Sequence, residues 1–294
     1  MIIHINNLKK RFKKDWILKG IHIKVETPQI IALVGPNGSG KTTLLNCMTN
    51  LLSFDEGTVE LVGKRHTDAT LFKDVSFLQD NRILYDNLTG FDHLKFICSV
   101  QKIPYSNIQI VAERVGMANY LKKRVRNYSL GMKQHLLLAM AIINKPKLLL
   151  LDEPLTGLDP TSAITMRNIL LELYEKGTTI MLSSHNLDEI DRLTNIIYFL
   201  KDGLILKESL DDLMTKQYTV TVNDAKKAKS ILNNDEIPHM IIQQNKIDID
   251  ETDVELQAFI HKMNKNGSFI KDINQRKVGA EKRYQELFEG VDST

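Results

Sequence analysis

Three runs of consecutive apolar residues stand out along the chain, and each ends in polar residues or glycine. They are IIALVG at 30–35, KLLLLDEP at 147–154 and TTIMLSSH at 178–185. Runs of this length that are apolar at nearly every position are typical of strands buried on both faces of a parallel sheet. Segments with helical spacing of apolar residues lie between them, notably 130–144 and 161–177. Alternating strands and helices predict an α/β fold with a largely parallel sheet.

The flanking regions follow other patterns. Near the start, IIHINNL at 2–8 and GIHIKV at 20–25 alternate apolar and polar residues, as half-buried strands do. The pattern turns helical over 89–123, and 195–206 predicts two strands joined by an Asp-Gly turn. After about residue 213, the order strand-helix-strand-strand-helix-strand predicts a small α+β module of the ferredoxin-like kind, closed by a helix near the end.

Composition sets limits on the class of protein. A chain of 294 residues can form one large and one smaller domain, for which we predict the ranges 1–213 and 214–294. The net charge of +3 is too balanced to favour nucleic acid as the main ligand. No segment approaches the roughly 18 apolar residues of a membrane span, and the N-terminal pattern is not that of a signal peptide. We therefore expect a cytoplasmic chain with its two cysteines, Cys47 and Cys98, as core residues.

The sequence GPNGSGKT fits the phosphate-binding pattern G-x-x-x-x-G-K-[ST]. A predicted buried strand precedes it and a helix follows, which is the context that such a loop requires and that a chance glycine turn would lack. The glycines let backbone N–H groups face the phosphates, the lysine adds a cation, and the threonine hydroxyl can ligate Mg²⁺. The residues predicted to hold a nucleotide here are Gly35, Pro36, Asn37, Gly38, Ser39, Gly40, Lys41, Thr42 and Thr43.

Two acidic residues, Asp152 and Glu153, follow the four leucines of the second apolar run. Ligand sites of parallel sheets lie beyond the carboxyl ends of the strands, so these side chains are predicted to face the phosphate loop. There Asp152 can hold Mg²⁺ through water and Glu153 can polarise an attacking water. The alternative is a strand end with two solvated acids, which would be unremarkable without the loop nearby.

Many phosphate-loop proteins share these two features, and the sequence YSLGMKQ, which begins at Tyr128, separates them. It resembles the signature motif of the ATP-binding cassette (ABC) family, usually written LSGGQ. Ser129 and Gly131 are retained, whereas Leu130 and Met132 depart from the usual letters. In that family the serine hydroxyl and the glycine N–H reach the γ-phosphate bound by the other subunit. The same residues also suit an ordinary helix start capped by Ser129.

The resemblance implies roles for further residues. Gln79 matches the glutamine that senses Mg²⁺ and the membrane partner, and Asp159 matches the aspartate of the D-loop. His185 matches the histidine that contacts the γ-phosphate. Phe12 matches the aromatic residue that stacks on adenine, with the nearby Trp16 as an alternative. The implied Mg²⁺ ligands are Thr42, Gln79 and Asp152, and the implied catalytic residues are Glu153, His185 and Gln79.

The resemblance covers roughly 1–215, where it implies a P-loop ABC-type nucleotide-binding domain with an antiparallel β subdomain and a helical subdomain at about 86–135. It also implies a function. The short Leu-Met form of the signature resembles exporters of bacitracin, lantibiotics and similar compounds. It implies an ATPase that hydrolyses MgATP as a head-to-tail homodimer at the cytoplasmic face of the membrane, and that binds a separately encoded transmembrane permease but no nucleic acid. The alternatives are an importer ATPase, a soluble ABC ATPase of translation or repair, and a nucleotide-binding scaffold without activity.

Overall fold

The chain divides into two compact units, Met1–Glu208 and Ser209–Thr294. The predicted domain boundary between residues 213 and 214 lies outside the residues that the structure describes. This computed structural model describes residues 1–79, 81–210, 215–234, 237, 239–243, 245–250, 255–278 and 280–289.

The first unit alternates strands and helices, as the apolar pattern predicts. Its strands are β1 (Ile3–Phe12), β2 (Asp15–Val25), β3 (Ile30–Val34), β4 (Glu56–Leu61), β5 (Lys64–Arg65), β6 (Val75–Leu78), β7 (Leu148–Leu151), β8 (Thr179–Ser184), β9 (Ile196–Lys201) and β10 (Leu204–Ser209). Its α-helices are α1 (Lys41–Met48), α2 (Gly90–Gln101), α3 (Ser106–Arg114), α4 (Leu130–Ile142), α5 (Pro160–Glu175) and α6 (Leu187–Asp191).

These strands form two sheets. The larger sheet has six strands in the order β10-β9-β3-β8-β7-β6, and the neighbours from β9 to β6 run parallel. Strands β3, β7 and β8 are buried at every residue, which confirms the three strands predicted from continuous apolar runs. The smaller sheet, β2-β1-β4-β5, is antiparallel. The fold is thus the predicted α/β arrangement, together with the antiparallel sheet that the resemblance implies.

The segment predicted as helical over 89–123 is broken into shorter pieces. Thr89 caps α2 and forms a reciprocal capping box with Asp92. Lys102 then adopts a left-handed conformation with φ 58° and ends the helix, and Pro104 lies just beyond it. Helix α3 and short 3₁₀ turns at 118–120 and 125–127 complete the segment. The helical character predicted for this segment is therefore confirmed, and local turn residues set where each helix ends.

Strand β1 is longer than its apolar alternation predicted, because it continues through the basic residues at 9–11 to Phe12. Asn7, with φ 50°, lies within the register shift between β1 and β2, beyond which pairing resumes. Two of the basic side chains form exposed ion pairs, Lys9 with Glu56 and Arg11 with Asp55. The basic segment is thus a solvated strand and turn.

The second unit has its own sheet and core. Its elements are β11 (Thr215–Val222), α7 (Ala225–Asn234), β12 (Met240–Gln243), β13 (Lys246–Asp250), α8 (Leu256–Lys265), β14 (Ile270–Val278) and α9 (Ala280–Phe288). The antiparallel sheet has the order β12-β13-β11-β14, which is the strand order of ferredoxin-like modules. Its helices pack on the sheet through Leu232, Phe259 and Met263.

Two further expectations concern cysteines and the membrane. Cys47 and Cys98 are both buried and free, and burial raises the pKa of the Cys47 thiol to about 11. They are therefore core side chains, as predicted.

Within the described parts of the chain, none of the helices combines the length and the apolar character that crossing a bilayer requires.

Candidate functional site

The glycine loop joins the buried strand β3 to helix α1 and needs its glycines for two reasons. Gly38 and Gly40 have φ of 82° and 107°, a region that side chains other than glycine rarely adopt. A Cβ atom on Gly35 would lie 2.7 Å from the Ser39 hydroxyl oxygen and 2.8 Å from the carbonyl oxygen of Leu200. The loop is therefore a tight backbone turn whose shape depends on these three glycines.

The side chain of Lys41 is folded into this loop and is only 7% exposed. Its ammonium group donates hydrogen bonds to the carbonyl oxygens of Gly35, at 2.7 Å, and Pro36, at 3.2 Å. Burial lowers the pKa of Lys41, while Glu153 and Asp152 oppose that shift through their negative charge. The loop thus holds the Lys41 ammonium group next to backbone carbonyl groups, at a position where an anionic ligand could bind it.

Helix α1 begins at Lys41 and adds a second positive feature. No side chain caps its N-terminus, and its first turn contains no acidic residue. Thr42 and Thr43 lie in this first turn, where backbone N–H groups point out of the helix. The Ser39 hydroxyl is buried and has no hydrogen-bond partner. Free donors and the helix dipole together make this end of α1 suited to phosphate.

Asp152 lies at the carboxyl end of β7 and links two neighbouring elements. One carboxylate oxygen accepts a hydrogen bond from the Thr42 hydroxyl at 2.7 Å, and the other accepts one from the Ser183 hydroxyl at 2.6 Å. Ser183 in turn accepts the backbone N–H of Glu153 at 2.9 Å. Sequence reasoning missed Ser183, although it stands in the run LSSH at the end of a buried strand.

Glu153 and His185 form a contact at the ends of adjacent strands. One Glu153 carboxylate oxygen lies 2.8 Å from His185 Nδ1 and also accepts the Thr156 hydroxyl at 3.0 Å. Glu153 has φ 50°, an uncommon backbone conformation for glutamate that aims the side chain away from the strand direction. The His185 side chain is 58% exposed and the Glu153 side chain 27% exposed. The pair is therefore accessible to a water molecule or a ligand.

Gln79 follows strand β6 and reaches the same region. Its amide nitrogen lies 3.4 Å from the side-chain oxygen of Asn46, which is on α1. Gln79 is half-buried, and Asn46 was not singled out in the sequence. The contact brings the Gln79 amide to the helix that also carries Thr42.

The two aromatic candidates lie near the turn between β1 and β2. Phe12 is 46% exposed and Trp16 is 38% exposed. Ile17, the residue after Trp16, lies against the glycine loop, because a Cβ atom on Gly40 would be 2.8 Å from its Cγ2. The turn is therefore adjacent to the loop, and both rings are available for stacking.

Ser129 caps helix α4, as the sequence predicted for a helix start. Its hydroxyl accepts the Met132 N–H at 3.3 Å, and Ser129 and Leu130 are exposed. A Cβ atom on Gly131 would lie 3.8 Å from a carboxylate oxygen of Asp159. Ser129, Gly131 and Asp159 thus form one surface.

Asp159 caps helix α5. Its carboxylate accepts the Ser162 N–H at 3.0 Å and the Ser162 hydroxyl at 2.7 Å. These hydrogen bonds hold the pKa of Asp159 below its usual range. The Asp159 carboxylate is therefore anionic and fixed in position at neutral pH.

The candidate residues fall into two groups, which we name the phosphate-loop side and the signature side. In the described residues, no hydrogen bond or ion pair connects the two groups. The signature side consists of Ser129, Gly131 and Asp159. The phosphate-loop side consists of residues 35–43 with Gln79, Asp152, Glu153 and His185.

The amino-acid sequence of this chain is similar to those of known proteins. The family model described as ABC transporter matches residues 18–156. The lantibiotic transport ATP-binding protein SrtF of Streptococcus pyogenes is 36% identical over 74% of this chain and 97% of its own length. The bacitracin transport ATP-binding protein BcrA of Enterococcus faecalis is 32% identical over 98% of this chain and 97% of its own length. The second similarity therefore includes the second unit.

Solved structures agree on the fold. An ATP-binding subunit of an ABC transporter has a TM-score of 0.67 at 24% identity and covers 72% of this chain and 91% of its own. A dimeric ATP-binding cassette in a post-hydrolysis state, bound to ADP and Pi, has a TM-score of 0.65 at 22% identity and covers 71% of this chain and 99% of its own. The fold is that of a P-loop ABC nucleotide-binding domain.

The fold and the phosphate loop together define the class of protein, an ATP-binding cassette. Because the chain is at least 32% identical to the two transport proteins over most of its length, it belongs to the ABC transporter family. It is the ATP-binding, ATP-hydrolysing subunit of a transporter.

Proposed function

We propose that this chain powers a bacterial exporter of peptide antibiotics, toxins or drugs. It acts as a head-to-tail dimer bound to a separately encoded membrane subunit at the cytoplasmic face of the membrane. The observation that carries the proposal is that the chain offers two helix N-termini suited to phosphate, that of α1 after the phosphate loop and that of α4, where Ser129 is exposed. The signature side of one copy then meets the nucleotide held on the phosphate-loop side of a second copy.

On the phosphate-loop side, the glycine loop and the N-terminus of α1 hold the β- and γ-phosphates of ATP. Lys41 exchanges its two backbone carbonyl partners for phosphate oxygens when ATP binds. Phe12 stacks on the adenine, since it is exposed at a turn adjacent to the loop. These contacts fix the nucleotide without any contribution from the signature side.

The residues at the loop also fit Mg²⁺. Thr42, Asp152 and Gln79 supply a hydroxyl, a carboxylate and an amide oxygen, which are the hard oxygen ligands that this ion prefers. Thr42 and Asp152 are already in contact at 2.7 Å. The bound ion would neutralise charge on the phosphates, and Ser183 would orient the Asp152 carboxylate through its hydrogen bond.

Glu153 and His185 perform the chemistry. Glu153 accepts a hydrogen bond from the attacking water and so orients it for in-line attack on the γ-phosphate. His185 donates a hydrogen bond to a γ-phosphate oxygen from one ring nitrogen, while its other ring nitrogen, Nδ1, contacts Glu153. Catalysis rests on positioning and charge neutralisation, because phosphoryl transfer needs little covalent help from the protein.

The signature side of the second copy completes the site. The Ser129 hydroxyl and the Gly131 N–H bind the γ-phosphate held by the partner, and Asp159 borders the same surface. ATP binding thus closes the dimer, and hydrolysis reopens it. That cycle drives the membrane subunit.

The proposed cargo follows from the two transport proteins and from the second unit. SrtF and BcrA carry lantibiotic and bacitracin transport in their names, and the similarity to BcrA extends through the second unit. We propose residues 1–213 as the ATPase domain, with a helical subdomain at 86–135, and 214–294 as an accessory domain. Similarity to a bacitracin transport protein over nearly the whole chain favours this proposal over an importer ATPase or a translation factor.

The test is the susceptibility of a host strain. Cells that lack the gene are complemented with the wild type, with Lys41→Ala or with Glu153→Gln, and growth is measured against bacitracin, lantibiotics and unrelated antibiotics. We expect only the wild type to restore resistance, to at least one peptide antibiotic. Equal susceptibility of all strains to all compounds, or restored uptake of a nutrient instead, would contradict export.

A further inference from the structure

Helix α6 directly follows His185 and is too short to be stable alone. It contains five residues, Leu187–Asp191, whereas isolated helices shorter than about 12 residues are marginal in water. Strand β8 fixes the backbone on the other side of His185, because all six of its residues are buried. The position of His185 therefore depends on what holds α6 in place.

A partly buried ion pair holds α6 against helix α5. Arg167 Nη2 lies 2.8 Å and 2.6 Å from the two Glu189 carboxylate oxygens, and Arg167 Nε lies 3.0 Å from one of them. The two side chains are only 14% and 13% exposed. A bidentate pair of this kind fixes direction as well as distance.

Other contacts of α6 are weaker guides to its orientation. Asn186 caps the helix by accepting the Glu189 N–H at 3.3 Å, which is a contact within the same segment. Ile190 is fully buried and gives apolar packing without direction. Arg192 approaches Glu189 at 3.7 Å but is 61% exposed. The Arg167–Glu189 pair is thus a directional contact between α6 and another helix.

We propose that Arg167 and Glu189 are positioning residues for hydrolysis, which act by holding His185 where the γ-phosphate binds. The proposal rests on the proposed role of His185. Helix α5, which carries Arg167, is capped by Asp159 at its start. The pair therefore connects an element of the phosphate-loop side with an element of the signature side.

The chain offers a matched control on the same helix. Glu172 of α5 pairs with Arg114 of α3, with 3.0 Å between Arg114 Nη2 and a Glu172 carboxylate oxygen. Like the proposed pair, it joins an arginine and a glutamate on different helices, but it does not involve α6. Glu172 is more exposed than Glu189 and also pairs with Lys176 of its own helix, so Glu172→Gln removes ion pairs of α5 without removing a contact of α6.

The test compares Glu189→Gln with Glu172→Gln by two readouts. The first is hydrogen exchange of the full-length chain, for which we expect faster exchange in a peptide that spans 185–195 only in Glu189→Gln. The second is ATPase kinetics at saturating Mg²⁺. We expect kcat to fall about 10- to 100-fold, as a small misplacement of a reacting group can do, with Kd for ATP within about twofold of wild type. Arg167→Lys keeps the charge and loses the fork, so it should shift both readouts in the same direction but less.

Unchanged exchange over 185–195 in Glu189→Gln would overturn the structural part of the proposal. Faster exchange with kcat close to wild type would overturn the positioning role, as would an equal fall of kcat in Glu172→Gln. If Glu189→Gln does not fold, Arg167→Lys carries the same two tests. A wild-type chain without ATPase activity would instead refute the proposed function, and the exchange experiment would still test the ion pair.

Discussion

The phosphate-loop side and the signature side differ in how their polar groups are satisfied. On the phosphate-loop side, Asp152 accepts two hydrogen bonds from neighbouring elements, and Glu153 contacts both His185 and Thr156. On the signature side, Ser129 contacts only the first turn of its own helix and is exposed. On the phosphate-loop side the hydrogen bonds connect several elements, whereas on the signature side Ser129 and Asp159 each cap the helix that follows them.

This difference indicates which side depends on a second molecule. The phosphate-loop side can bind a nucleotide with the groups of one chain, because a cation, free N–H donors and carboxylates are gathered there. The N-terminus of α4 also has backbone donors, and its first turn contains no acidic residue. We therefore expect variants on the two sides to fail in different ways, and the following predictions test that expectation.

The largest effect is expected from Glu153→Gln on the phosphate-loop side. The substitution keeps the size and removes the charge that orients the attacking water, so kcat should fall about 10²- to 10⁴-fold. ATP affinity should stay near that of the wild type, since Glu153 does not hold the phosphates. Steady-state phosphate release and calorimetric titration measure both values. Phosphate release close to wild type would remove Glu153 from the catalytic role.

Lys41→Ala should act on binding, not only on turnover. Loss of a charge-assisted contact to phosphate is expected to raise the Kd for ATP about 10- to 100-fold, measured by calorimetry. The control is Lys147→Ala, which removes a lysine whose side chain is 68% exposed at the start of β7. Equal affinities of the two variants would contradict the assignment of the loop.

Phe12→Ala and Trp16→Ala distinguish the two aromatic candidates. Stacking of a base on an aromatic ring contributes about 1–3 kcal/mol, so loss of the stacking residue should raise the Kd for ATP at least about fivefold. We expect that effect from Phe12→Ala and a change below about twofold from Trp16→Ala. The opposite order, read from fluorescence titration with a labelled ATP, would assign the stacking to Trp16.

The smallest effect is expected from removal of the second unit. A chain that ends at Thr215 keeps every residue of both sides, and the second unit has its own apolar core. ATP affinity should therefore stay within about twofold of the full chain, since none of the proposed contacts is lost. Circular dichroism verifies folding first. A folded truncated chain that does not bind ATP would show that the second unit supports the site.

The three buried strands and the loop were predictable from sequence because they depend on local pattern. A strand buried on both faces leaves a continuous apolar run, and a phosphate loop needs glycines at fixed spacing, so β3, β7 and β8 and residues 35–42 were located correctly. The helical pattern over 89–123 was also correct, but the ends of its helices were not predicted, because single turn residues such as Lys102 end a helix without disturbing its periodicity.

Contacts between distant parts of the chain were also beyond the sequence. Ser183 bonds Asp152 from 31 residues away, and Arg167 pairs with Glu189 from a different helix. Such residues have no spacing rule, since the sheet topology alone brings them together. Asn46 belongs to the same class, because its contact with Gln79 joins α1 to the end of β6.

The most direct test of the central claim is ATP-dependent dimerisation measured by analytical ultracentrifugation. In the Glu153→Gln background, MgATP should convert monomer to dimer. Adding Ser129→Arg places a long side chain where the partner's phosphate must approach, and the loss of the cap removes only about 1 kcal/mol of stability. The double variant should therefore bind ATP with unchanged affinity and remain monomeric. Dimer formation by the double variant, equal to that of Glu153→Gln alone, would contradict a site shared between two copies.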